Sequence, residues 1–298
     1  MSANPSTARH AATVLLLRED GGEIQVLMTR RHSDLKFMGG MWVFPGGALH
    51  AADGSDAALA LLPAGSHSAS CERLETLHSE HLSLRECQAL TIAACRETFE
   101  ETGVLLVRRA DGSACDAETI VRLQSERQAT AADAQSFASL LKREQLQLDI
   151  ERLIYWAHWI TPSAIPRRFD TRFYAIAAPP GQIATPDLSE ASDLIWMSPA
   201  ALLERSRDNS MSIARPTLFN LEDLHASITR HASLHAMFAA EAARPVLPII
   251  PKLVADPQGA ILIMPWDERY LSAPGEGVSL AGRCPEAFEH LPSITTRD

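Results

Sequence analysis

The stretch from Ser83 to Gly103 constrains the fold most, because both of its ends are marked. Ser83-Leu84-Arg85-Glu86 has the form of a capping box, and Gly103 suits a left-handed residue just past a helix end. A helix is therefore predicted between them. Leu90, Ala93, Ala94 and Thr98 give it a narrow, small-residue face that suits packing on a sheet. Its last turns carry Glu97, Glu100 and Glu101, which share a face because a helix turns about 100° per residue. Like charges at these spacings repel by roughly 0.2–0.5 kcal/mol per pair, and the helix dipole is negative at this end. The plain alternative is a solvated acidic helix end. Otherwise a sequence that accepts both penalties needs a cation among those oxygens, and Mg²⁺ or Mn²⁺ suits an all-oxygen cluster. Arg96 lies one turn before Glu100 and can pair with it.

Strands are predicted on both sides of this helix. Residues 12–18 and 23–29 flank an Asp20-Gly21-Gly22 hairpin turn, and Phe44-Pro45-Gly46-Gly47 follows another strand. Residues 154–160, 169–178 and 195–197 read as further strands. In the second of these, Arg168, Asp170 and Arg172 alternate with Phe169, Thr171 and Phe173. Residues 54–82 read as a helical surface excursion with a loop, 117–146 and 216–243 as helical, and 199–205 as a short helix. Residues 246–254 and 260–264 read as a hairpin across Asp256-Pro257-Gln258-Gly259. Strands mixed with helices and hairpins predict an α/β (α+β) fold, a mixed sheet between helical layers.

The formal net charge is −10 with no basic run, which argues against binding of nucleic acid by phosphate neutralisation. No apolar run reaches membrane length. The five cysteines lack CxxC spacing and read as reduced thiols in a cytoplasmic protein, with Cys87 and Cys95 packing on the marked helix. Residues 1–10 lack a signal-peptide core.

Gly46-Gly47 and the run Arg96-Glu97-Thr98-Phe99-Glu100-Glu101-Thr102-Gly103-Val104 together resemble the box of the Nudix hydrolases. That box reads Gly, five residues, Glu, seven residues, then Arg-Glu-aliphatic-x-Glu-Glu-x-Gly-aliphatic. Gly47 starts it here, Asp53 stands where the first Glu is expected, and Thr98 replaces an aliphatic residue. Residues 54–95 intervene where a short spacer is expected, so the box is split by an insertion. If the insertion precedes the helix, Gln88 takes the first Glu position instead; either way that Glu is missing.

Upstream, Thr29, Arg31, Gly40 and Phe44 to Gly47 match in register a signature of the coenzyme A diphosphatase branch, with Lys36 for an Arg and His32 for a small residue. An interrupted box after Phe-Pro-Gly-Gly is similar to the peroxisomal members of that branch, as is Met264-Pro265-Trp266-Asp267-Glu268-Arg269-Tyr270. The chain's last residues, Thr296-Arg297-Asp298, differ from the peroxisomal tripeptide of those relatives.

The resemblance implies a Nudix α/β/α sandwich over residues 10–205, with the insertion at 54–82, a helical addition at 117–146, and a C-terminal extension at 206–298 on the same domain. It implies Mg²⁺ or Mn²⁺ held by Glu97, Glu100, Glu101 and the Gly46 carbonyl, with Arg96 orienting the glutamates. Glu97 is the leading candidate for general base and Glu190 the rival. Arg31 and Lys36 would face the phosphates of a small-molecule diphosphate. Hydrolysis of coenzyme A or an acyl derivative to 3′,5′-ADP and a phosphopantetheine is the expected reaction. ADP-ribose, a nucleotide sugar or NADH stays open as substrate, as does a non-catalytic nucleotide-sensing module. The insertion and the extension are where specificity or a homodimer contact could reside.

Other constellations point less clearly. His231 and His235 have metal-ligand spacing if they share a helix, but a solvated helix face explains them as well. His158 reads as a residue within the sheet, Trp156, Trp159 and Trp196 as core, and Cys115 as a loop thiol.

Overall fold

Alternation along the first strand sets the layering. The structure is a computed structural model that describes residues 7–35, 38–65, 82–127, 134–257, 259–277, 279–280 and 294–296. Lys36, Cys71, Cys284 and most of the 54–82 insertion lie outside the described residues. In strand β1 (Arg9–Asp20), Val14 and Leu16 pack into one core, while Leu15 and Leu17 pack into another on the opposite face.

The first core is roofed by α1 (Asp56–Leu59), α2 (Leu84–Thr102), α3 (Ala117–Ser125) and α4 (Ala134–Arg143). The second is closed by α5 (Pro199–Arg207), α6 (Arg215–Arg230) and α7 (Leu234–Glu241). A mixed sheet between two helical layers is thus the architecture.

β1 runs parallel to β8 (Phe169–Ala177), which pairs antiparallel with β7 (Ile154–Ile160). On its other edge β1 forms the hairpin with β2 (Glu23–Arg31) only at residues 17–20. Beyond that the two strands splay. β3 (Trp42–Val43) pairs with Thr29 and Arg30 of β2, and β4 (Gly46–Ala48) pairs with residues 11–13 of β1. The outer edges of β1 and β2 are already taken by β8 and by β9 (Ala191–Met197). A strand has only two edges, so β3 and β4 wedge into the splayed hairpin. This wedge brings Gly46 and Gly47 under the end of α2.

The capping box of α2 forms on both sides, and Gly103 takes φ 73°. The helix is not a one-faced amphipath: Cys87, Leu90, Thr91, Cys95, Thr98 and Phe99 are all buried. A layer covered again from outside has no wet face, so residues 89–99 carry little hydrophilic periodicity.

Three segments differ from the sequence expectation. Residues 117–146 are not continuously helical: after α4, Gln145 turns at φ 55° and β6 (Leu146–Leu148) pairs with β5 (Val107–Arg109). Leu146 and Leu148 alternate inward as a strand requires. Residues 216–243 break at His231, whose backbone is extended, and Ser233 caps a new helix through the Ala236 N–H. His231 and His235 therefore do not share a helix face. Residues 246–254 split as well. β10 (Pro248–Ile249) joins β7 in the main sheet, while β11 (Lys252–Asp256) forms a separate hairpin with β12 (Gly259–Ile263). Residues beyond 205 thus contribute helices and a strand to the second core, and Val246 to the first.

The alternating charges of β8 are buried rather than solvated. Asp170 meets His158 at 2.5 Å, Arg172 at 2.8 Å and His10 at 3.3 Å. Burial opposes its ionisation, but hydrogen bonds from His10 and His158 and the charges of His158 and Arg172 outweigh it. They hold the carboxyl well below the usual range. A depressed folded value means stability that is present above the ordinary carboxylate range and lost as pH falls through it. Asp170→Asn is expected to be markedly less stable than wild type in urea at pH 7. The gap should narrow below about pH 4; a gap that widens on acidification would contradict this reading.

Candidate active site

At the end of α2 three carboxylates, those of Asp53, Glu97 and Glu100, surround one guanidinium. Arg96 is 1% exposed. It donates from Nε and Nη2 to the two oxygens of Asp53 at 2.7 and 3.0 Å. Its Nη1 reaches Glu97 at 2.8 Å and Glu100 at 2.6 Å, and Nη2 also reaches the Ala48 carbonyl at 3.2 Å. All five of its N–H donors are thereby engaged. The Asp53 pair is the planar, two-pronged kind that fixes orientation as well as charge.

Asp53 owes its place to a short helical turn, residues Ala51–Gly54, that follows β4 directly. Its carboxylate caps that turn by accepting the His50 N–H at 2.9 Å. Gln88, the other candidate for the first box position, is absent from the Arg96 contacts; its carbonyl accepts the Thr91 hydroxyl at 2.8 Å. The first carboxylate of the box is thus not missing in space. An aspartate supplies it, six residues after Gly47, and the insertion follows it. The spacing of Asp53 from Gly47 was the signal available in the sequence.

The two glycines of the wedge fit against the glutamates. The Gly46 N–H donates to Glu101 Oε2 at 3.2 Å, and a side chain at Gly46, with φ 155°, would collide with the Ala12 carbonyl. A Cβ at Gly47 would lie 2.5 Å from the Glu97 carboxylate. The carboxylate of Glu97 is packed directly over that glycine.

Burial raises the proton affinity of all three glutamates. It pushes Glu97 up against the opposing pull of Arg96, and raises Glu100 to about 7. Glu101 goes well above the usual range, first by burial and then through the charges of Glu97 and Glu190. Arg31, at the end of β2, pulls Glu101 the other way. Glu190 is exposed, and its charge bears on both Glu97 and Glu101. Arg31, Gly46, Arg96, Glu97, Glu100, Glu101 and Glu190 are therefore brought together, while Lys36 lies outside the described residues.

One oxygen of each glutamate is engaged, with Arg96 or with the Gly46 N–H. Among the described residues no three such groups converge in ligating geometry. The donor set is nonetheless all oxygen and carries more negative charge than Arg96 and Arg31 offset. Such a pocket is relieved by protons or by a hard divalent cation, so its chemistry fits that ion.

The remaining candidates fall elsewhere. His158 belongs to the buried Asp170 cluster, and Trp156 and Trp159 to the core. Trp196 stacks under Arg18, with the guanidinium 4.5 Å from the ring centre. Among the described residues no helix is long and apolar enough to cross a membrane.

A family profile described as the NUDT19 Nudix domain matches residues 6–224. The chain is 28% identical over 272 residues to the human acyl-coenzyme A diphosphatase NUDT19, across 83% of this chain and 72% of the relative. The Gallus gallus acyl-coenzyme A diphosphatase NUDT19 is 29% identical over 307 residues, across 89% and 80%. The crystal structure of a NUDIX hydrolase from Alicyclobacillus acidocaldarius aligns with a TM-score of 0.62 at 23% identity. It covers 80% of this chain and 99% of that one, a likeness of fold.

Proposed function

The chain belongs to the NUDT19 Nudix family, and from that premise we propose that it hydrolyses the diphosphate of coenzyme A or an acyl-coenzyme A. The products are 3′,5′-ADP and the corresponding phosphopantetheine. The observation that carries this reading is the buried, over-charged glutamate cluster beneath the Gly46-Gly47 turn.

Glu97, Glu100 and Glu101, with the Gly46 carbonyl, would hold Mg²⁺ or Mn²⁺. Such an ion would supply charge neutralisation at the phosphoryl oxygens and acidification of a water. Arg96, locked by Asp53, fixes the angles of Glu97 and Glu100. Arg31 binds the substrate's phosphates, and Lys36, outside the described residues, is the second cation assigned to them. Glu190 takes the proton of the attacking water. Its exposure, its reach to both buried glutamates and its separation from the Arg96 network support it over Glu97, one oxygen of which is tied to Arg96. The buried thiols of Cys87 and Cys95, neither in a disulfide, suit a reducing, cytoplasmic setting.

Incubation with Mg²⁺ or Mn²⁺ and a panel of coenzyme A, acyl-coenzyme A, ADP-ribose, nucleotide sugars and NADH tests the reading. Product masses should show 3′,5′-ADP from the coenzyme A members. Absence of cleavage in every member would point to a sensor, and preference for another diphosphate would overturn the substrate. Glu190→Gln should lower kcat by about 10²–10⁴-fold with little change in KM, as expected for a lost general base.

A further inference from the structure

The loop between β8 and β9 crosses the end of α2 and is tied to its last turn and to the residues just past it. Gln182 brackets Leu105, accepting its N–H at 2.8 Å and donating to its carbonyl at 2.9 Å. The Thr185 N–H donates to the Thr102 carbonyl at 2.8 Å, and the Asp187 N–H to the Glu101 carbonyl at 3.1 Å. These are terminal helix carbonyls that no further helical N–H can reach. At its far end the loop is held to β2, where the His32 N–H donates to the Glu190 carbonyl at 2.9 Å. Residues 182–190 therefore form a strap that ends on Glu190.

The strap needs holding. Glu190 approaches Glu97 and Glu101, and like charges push it away. Arg127, just past α3, grips the middle of the strap. Its Nη1 donates to the Thr185 carbonyl at 2.7 Å and hydroxyl at 3.2 Å, and its Nη2 to the Pro186 carbonyl at 3.0 Å. A Cβ on Gly103 would lie 2.8 Å from that Nη1. The box glycine thus does more than end the helix: its bare Cα leaves the seat for the guanidinium. Gln124 closes the same corner with a hydrogen bond to the Gly103 carbonyl at 2.9 Å.

We infer that Arg127 is a positioning residue for the hydrolysis: seated over Gly103, it clamps the 182–190 strap to the glutamate helix and so holds Glu190 against Glu97 and Glu101. This inference rests on the assignment of Glu190 made above. A planar fork is required, because one group must reach two successive carbonyls at once.

The test is a kinetic double-mutant cycle on the full chain with coenzyme A and Mg²⁺. Arg127→Ala should lower kcat by about 10²-fold at unchanged KM, the scale of loss from a group displaced by an ångström. Arg127→Lys should recover only part of it. In a Glu190→Gln background Arg127→Ala should cost nothing further, because the clamp acts through Glu190. Gln182→Ala should behave alike and replaces Arg127→Ala if that protein does not fold. Multiplicative losses in the double variant, or wild-type kcat in Arg127→Ala, would overturn the clamp while leaving Glu190 in place. Wild-type kcat in Glu190→Gln would overturn both.

Discussion

Glu100→Gln is expected to lower kcat for coenzyme A hydrolysis by about 10³-fold or more at saturating Mg²⁺, while the protein stays folded. The size follows from what the bound ion contributes, several kcal/mol of charge stabilisation, at about 1.4 kcal/mol per tenfold in rate. The amide keeps the shape of the side chain and removes its charge. Burial and Glu97 push the pKa of Glu100 up to about 7 in spite of Arg96, so ionising it works against the fold. Removing that charge takes away a burden on the fold. Arg96 also retains Asp53 and Glu97. The unfolding midpoint in metal-free buffer should therefore hold or rise. A steady-state assay with a Mg²⁺ titration, paired with urea denaturation, measures both. Wild-type kcat would remove Glu100 from the site, and a large loss of stability would assign it a structural role instead.

Arg96→Leu is expected to have the largest effect on stability, about 3–5 kcal/mol at neutral pH. The guanidinium is fully enclosed and is the common partner of Asp53, Glu97 and Glu100. Leucine fills part of the space but leaves carboxylates buried without a counter-charge, which costs more than the net worth of the pairs. The effect should be larger than for Asp53→Asn, which leaves two of the three carboxylate partners of Arg96 in place. Urea denaturation at matched pH compares the two variants. Equal stability of Arg96→Leu and wild type would mean that these three carboxylates do not share one enclosed cation.

The sequence made α2 legible at both ends because capping chemistry is local: Ser83, Glu86 and Gly103 act within a few residues of where they stand. The glutamates were legible because helical spacing converts directly into a shared face. Asp53 was readable by spacing but not by role. Its partner lies across the insertion, and nothing local tells a substitute from a loss. Asp170 and Arg172 show the limit of periodicity. Alternation separates two faces of a strand without saying which is wet, and here His158, on a neighbouring strand, keeps the charged face dry. The break at His231 carries neither Gly nor Pro. The strap was hidden for another reason: many of its ties are backbone hydrogen bonds, which any sequence can make.

Binding of Mn²⁺ by wild type and by the triple variant Glu97→Gln, Glu100→Gln, Glu101→Gln, followed by electron paramagnetic resonance of the free ion, tests the metal cluster most directly. Wild type should remove Mn²⁺ from solution in stoichiometric amounts, and the folded triple variant should leave it free. Equal uptake by the two proteins would contradict the assignment of these three side chains as the seat of the ion.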